Sequence, residues 1–231
     1  MPAKARLPVG DWRYDHTQRR HESVGCAVRL AESAGVFEQL FEEQVQLCIW
    51  KRAPDEILGA YLDRGALPGV WERHMEVSVT DSGLDETVQE LFSGFEEDLG
   101  RVRLTTELLG LIDLFATLSD TQRVGVRMIA TQHRTCPRFH TDAVGLRLLC
   151  TWVGEGTEWV TQEDVAAEAG AGLGRPSTAG PVRPGATVHR MDTFAVGLLK
   201  GEGWPGNRGR GAMHRSPLPA HRRVWVSLDS L

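Results

Sequence analysis

Three residues in this sequence combine the types and spacing needed to hold a metal ion: His140, Asp142 and His214. The first two lie in TCPRFHTDAVGLRLLCTWVGEGTEWV, residues 135–160, where a Cys-Pro turn leads through His140-x-Asp142 into an apolar run. Alternate residues of a strand point to the same side. His-x-Asp at the start of a strand therefore offers an imidazole and a carboxylate on one face. A second histidine from a distant strand completes a two-histidine, one-carboxylate triad and leaves coordination positions open for substrate and oxygen. His214 suits that place, because it follows the glycine-rich KGEGWPGNRGRGAM and precedes a final strand. Imidazole and carboxylate suit iron(II), and zinc or manganese can use similar ligands.

The bare motif carries little weight. With 8 histidines and 31 acidic residues in the chain, about one His-x-Asp/Glu is expected by chance. A second copy, His74-Met75-Glu76, reads as that coincidence. Plainer readings of the first copy are a capped turn in which His140 bonds Asp142, and for His214 a polar turn beside Ser216. Cys136 could add a thiolate and close the site as a structural zinc centre, or simply be a small residue before the turn-forming Pro137. Cys150 reads as a core residue. Trp159, Trp204 and Asn207 could line a substrate pocket, against the plainer readings of packing and a solvated loop. Asn207 and Arg210, between glycines near His214, could also contact an anion, against the plainer reading of a solvated loop. GAGLG lacks a preceding strand, so it is no dinucleotide fingerprint.

The elements that must position these residues follow from pattern. FEEQVQLCIWKR predicts a strand over Val45–Arg52, and APDEILGAYLDRG a helix with Ile57, Leu58, Tyr61 and Leu62 on one face and Gly65 as its stop. GLDETVQELFSGF and TTELLGLIDLFATLSD carry apolar residues at helical spacing. After Asp120 come four strand-like runs: QRVGVRMIATQ, AVGLRLLCTWV, DTFAVGLLKG and RRVWVSLD. Between the second and third lies a Gly, Ala, Pro and Ser-rich stretch, residues 163–190, which predicts a long mobile loop. Helices first and strands later predict an α+β protein in a single domain, mainly helical with some strands over 1–120, with a β-sandwich or barrel over 121–231. In the last run Val224, Val226 and Leu228 share one face, and Arg223, Trp225, Ser227 and Asp229 the other. If the apolar face lined the barrel, Arg222 would be the inward basic residue; Arg215 is a further candidate.

Composition excludes several classes. A net charge of -5 gives no reason to expect nucleic acid or an anionic membrane as partner. No run of eighteen apolar residues predicts a transmembrane helix, and the opening MPAKARLPVGDWRYDH has no signal-peptide core. Cys26, Cys48, Cys136 and Cys150 are far apart, as in a reduced cytoplasmic protein.

The segments CPRFHTDAVGLRLLCTWVGEGTEW, LLKGEGWPGN and GRGAMHRSP resemble hallmark segments of a bacterial family, domain of unknown function 1826. The likeness runs from about Arg127 onward, with an echo at LCIWKR. More distantly, the order His-x-Asp, His, then Arg is similar to the Fe(II)/2-oxoglutarate dioxygenase superfamily, which uses a double-stranded β-helix, or jelly roll. That resemblance implies His140, Asp142 and His214 as metal ligands. It implies Arg223, with Arg222 and Arg215 as alternatives, as the partner of the 2-oxoglutarate carboxylate. The expected function is an iron(II)- and 2-oxoglutarate-dependent oxygenase acting on a small molecule or protein. The rivals are a zinc-handling accessory protein with Cys136 as a ligand, and a metal-free jelly roll that binds a sugar or anion.

Overall fold

The computed structural model describes residues 22–23, 27–165, 182–218 and 221–231. In chain order the strands are β1 (Glu22–Ser23), β2 (Val28–Ala31), β3 (Leu47–Trp50), β4 (Trp71–Ser78), β5 (Arg123–Thr131) and β6 (Leu146–Val153), then β7 (Glu158–Trp159), β8 (His189–Arg190), β9 (Val196–Lys200), β10 (His214–Arg215) and β11 (Arg223–Ser230). The helices are α1 (Glu56–Asp63), α2 (Leu84–Leu91) and α3 (Leu99–Ser119), with a 3-10 helix at Ala34–Phe41. No helix among the described residues is long and apolar enough to cross a membrane.

Eight strands form one large sheet in the order β1-β2-β3-β9-β6-β11-β5-β4, and β10-β7-β8 form a small one. Pairing in the large sheet is antiparallel except between β2 and β3. The protein is thus α+β, but the sheet is not confined to the second half. Four of the eight strands come from the first 78 residues. The strand β4 was hidden because WERHMEVS buries only Trp71 and Val77 and exposes charge elsewhere, as suits a sheet edge.

Two cores flank the large sheet. On one face Val224, Val226 and Leu228 of β11 join Leu104, Leu108, Ile112 and Phe115 of α3. On the other, Ile49, Ile129, Leu149, Leu199 and Trp225 pack against Trp159 of the small sheet and Ala212 beside it. The apolar face of β11 therefore meets helices rather than the space between sheets. This turns Arg223, Trp225 and Ser227 inward and removes the reason to place Arg222 there. Of the α1 residues assigned one face, Leu58, Tyr61 and Leu62 are buried, whereas Ile57 is 41% exposed.

The helix α3 begins six residues before its periodic stretch, because the Asp98 side chain accepts from Arg101 N and caps it. Its first turn contains Gly100, where an added Cβ would run into the Tyr61 side chain. A second fastening is polar: Arg52 forks onto Glu107 of α3 at 2.6 and 3.2 Å, and Trp152 Nε1 donates to the same carboxylate at 3.2 Å. Of the 163–190 stretch, residues 166–181 lie outside the described residues, so the expected mobile loop is not described; its ends meet in a bridge between Val165 and Val182.

Gly100→Ala is expected to destabilise the protein by about 1–3 kcal/mol, since Tyr61 must leave its place. Chemical denaturation of the metal-free protein measures this. An unchanged midpoint would mean that the α1–α3 contact does not limit packing.

Candidate metal centre

The two histidines meet through their backbones. His140 N donates to His214 O at 2.9 Å, and His214 N to His140 O at 3.0 Å. His214 also pairs with Trp159 on β7, so His140 extends the small sheet by one residue. His140 and Asp142 do not begin a named strand; they occupy the turn before β6. Alternation is therefore not what aims Asp142. Its carbonyl accepts from Glu202 N at 2.8 Å, and Gly201 lies against the same turn. A Cβ on Gly201 would collide with Val144 O and lie 2.7 Å from Asp142 O. The glycine-rich segment thus serves a close backbone approach, but to the turn that carries the ligand.

Each imidazole Nδ1 lies 3.0 Å from the carbonyl two residues earlier, Arg138 O for His140 and Ala212 O for His214. Donating Nδ1–H to a carbonyl leaves an Nε2 lone pair, the usual device for a metal-binding histidine. Both Nε2 atoms face Asp142: His214 Nε2 lies 3.4 Å from Oδ2, and His140 Nε2 3.9 Å from Oδ1. One ligand atom from each of the three residues lies within 4.8 Å of the others, and among the described residues no other such group of three exists.

Asp142 Oδ2 is buried and has no hydrogen-bond partner. A carboxylate oxygen closed off from water and facing imidazole lone pairs is costly unless a cation stands among them. The donor set therefore fits a divalent metal. Asp142 Oδ1 accepts from Arg147, whose guanidinium also forks onto Asp229 at 2.7 Å on both bonds. Sequence reading missed Arg147 and Asp229. The signal was a lone arginine in the apolar run GLRLLC, where a buried charge needs partners.

Burial holds His214 below the usual 6.5; Asp142 pulls it up and His140 pushes it down, both more weakly. The ring is neutral and ligand-competent at pH 7.

The same pocket is lined by His140, His214, Arg147, Arg223, Trp225 and Cys136. Arg223 is 4% exposed, donating to Glu155 O at 2.9 Å and to the Thr151 and Thr157 hydroxyls at 3.0 Å each. No carboxylate lies within ion-pair reach among the described residues. Burial pushes its guanidinium down to about 10, against a weaker pull from Glu155, and it remains charged at pH 7. Arg222 instead donates to Leu62 O and Leu67 O at 2.6 and 2.5 Å, securing the chain after α1. Arg215 lines the pocket but donates to Glu158 at 2.7 Å.

Cys136 lines the pocket yet stands outside the three-ligand group. Trp159 is a buried inter-sheet residue stacked on His189 at 4.3 Å. Trp204 points elsewhere, against Phe41 and under Lys200 Nζ. Asn207 is buried and donates to Gly201 O at 3.0 Å, supporting the turn behind Asp142 rather than lining the pocket. His74 is exposed on β4 and bonds Glu72 at 2.6 Å. A larger cleft, about 210 Å³ between Gln44, Gln46, Thr161 and Arg210, shares no residue with this pocket. Cys48 and Cys150 are pushed up to about 12 by burial, so their thiols stay protonated.

Two outcomes follow from this geometry. Arg147→Gln is expected to weaken metal binding about 10- to 100-fold by freeing the Asp142 carboxylate, read by competition with a chromophoric chelator; unchanged affinity would remove Arg147 from the centre. Because the His214 pKa is depressed on folding, the unfolded chain binds the extra proton first. Stability of the metal-free protein should therefore fall as pH drops below about 6.5, and His214→Gln should flatten that part of the urea profile.

A comparison with curated proteins gives no match. Among solved structures, a BsmA homologue from Methylobium petroleophilum aligns at 15% identity, covering 85% of this chain and 92% of that one, with a TM-score of 0.40. A full-length Neurospora crassa protein solved in complex with alpha-KG aligns at 11%, covering 84% and 77%, at 0.48. A 2OG-Fe(II) oxygenase family oxidoreductase from Burkholderia pseudomallei aligns at 14%, covering 88% and 93%, at 0.39. Likenesses this distant carry no conclusion about activity. The family match is firmer and extends well upstream of Arg127: residues 31–229 fit the model described as protein of unknown function, DUF1826, and the chain belongs to that family.

Proposed function

We propose that the protein is an iron(II)- and 2-oxoglutarate-dependent oxygenase, and that its two-sheet sandwich is a double-stranded β-helix. One observation supports this above the others. A two-histidine, one-carboxylate group with an unpartnered carboxylate oxygen shares its pocket with a buried arginine that has no carboxylate partner.

His140 Nε2, His214 Nε2 and the Asp142 carboxylate would hold the iron, whose redox chemistry with oxygen is beyond any side chain present. Arg147 orients Asp142 by donating to its Oδ1. The Ala212 and Arg138 carbonyls hold the imidazole protons on Nδ1. Arg223 would take the remote carboxylate of 2-oxoglutarate through Nη1, the nitrogen not engaged by Glu155 O, Thr151 or Thr157, a charge-assisted pairing. Trp225 lies 5.2 Å beneath that guanidinium, and Leu149 lines the same pocket.

The test is anaerobic loading with iron(II), followed by oxygen and measurement of 2-oxoglutarate conversion to succinate. His140→Ala should lose iron. Arg223→Met should keep iron and raise the KM for 2-oxoglutarate about tenfold or more, the loss of one charge-assisted contact. Protein that binds neither iron(II) nor 2-oxoglutarate would sink the proposal. The rival reading, a zinc-handling accessory protein, draws on the presence of Cys136 in the pocket. Stoichiometric zinc that is lost in Cys136→Ala would favour it.

A further inference from the structure

The register of the small sheet puts Arg215, Glu158 and Arg190 side by side on one face, opposite the face that carries His214, Trp159 and His189. Glu158 is 7% exposed, and both its oxygens are engaged: Oε1 accepts from Arg190 at 2.9 Å and Oε2 from Arg215 at 2.7 Å. A third guanidinium, from Arg134, stands off at 3.8 Å from Oε2. Its Nε donates to Ser216 O at 2.8 Å, and its Nη2 is buried with no hydrogen bond.

Among the described residues, Glu158 is the one carboxylate within 4 Å of any of these arginines. Three guanidiniums around one carboxylate leave two positive charges over, in a setting where screening by water is reduced. Arg134 records the strain: burial and then Arg215 push its guanidinium down. Among the described residues, several of the N–H groups have no partner, including both Nη of Arg215. The Thr135 and Ser216 hydroxyls, 2.7 Å apart, lie on the same rim. Of these residues Thr135, Arg215 and Ser216 also line the pocket of His140 and His214, so the cluster adjoins that pocket through Arg215.

We propose that Arg134, Arg190 and Arg215 form an oxyanion site for a carboxylate or phosphate group, and that, adjoining the pocket through Arg215, it holds the acidic group of the substrate. The second half rests on the oxygenase reading; anion binding itself needs neither iron nor 2-oxoglutarate. The ligand brings the missing negative charge, and Glu158 spaces the arginines to receive it.

Metal-free, full-length protein tests this by calorimetric titration with inorganic phosphate and with acetate, at ionic strength fixed with chloride. Saturable binding of either is expected, and the two probes distinguish a phosphate site from a carboxylate site. Arg190→Gln, at a half-exposed position that folding should tolerate, and Arg134→Gln should each weaken binding about tenfold. Glu158→Gln should tighten it, and Arg123→Gln, exposed and paired with Glu76 away from both arginine sites, should leave it unchanged. No binding beyond chloride, or loss in Arg223→Met but not in Arg190→Gln and Arg134→Gln, overturns the site. In the iron-loaded enzyme, neutral compounds stimulating 2-oxoglutarate turnover as well as their acidic analogues overturn the assignment to substrate. Failure to consume 2-oxoglutarate at all is a failure of the oxygenase reading instead.

Discussion

The centre depends on two backbone hydrogen bonds. By exchanging N–H and carbonyl, His140 and His214 lock together two segments that the sequence keeps far apart, and their rings lie 4.5 Å apart as a result. Everything else at the site is built outward from that pair. Each ring is turned by its own carbonyl two residues back, and Asp142 is brought up by a turn clamped under Gly201. Side-chain chemistry supplies the candidate ligands, but main-chain geometry makes them converge.

Electrostatics divides the surroundings into separately balanced groups. Arg147 belongs to Asp142 and Asp229, Arg52 to Glu107, and Arg222 to main-chain carbonyls. Against those settled arginines, Arg223 and the trio around Glu158 stand out as cations without enough anionic partners. Burial of unmatched charge is unfavourable unless an opposite charge offsets it.

Much of the centre was legible in the sequence because its ligands are of distinctive types: His140, Asp142 and His214 are the three residues that converge. The inward arginine was not legible from β11 alone. Alternation divides Val224, Val226 and Leu228 from Arg223 and Trp225, but which set faces the second sheet depends on where α3 packs. Edge strands and two-residue strands escaped for a different reason. The strand β4 is largely charged, and β7, β8 and β10 are too short to show any period. Arg147 and Glu158 were missed because their meaning lies in partners distant along the chain, Asp229 and Arg215.

The place of β11 in the sheet also governs how the molecule can assemble. Made after all its neighbours, it lies between β6 and β5, while β3 must find β9 across most of the chain. During synthesis the large sheet therefore waits as two unjoined pieces with apolar faces uncovered, a topology dominated by distant pairings and slow to close. Arg223 arrives with that closing strand. The pocket cannot exist on a partly made chain.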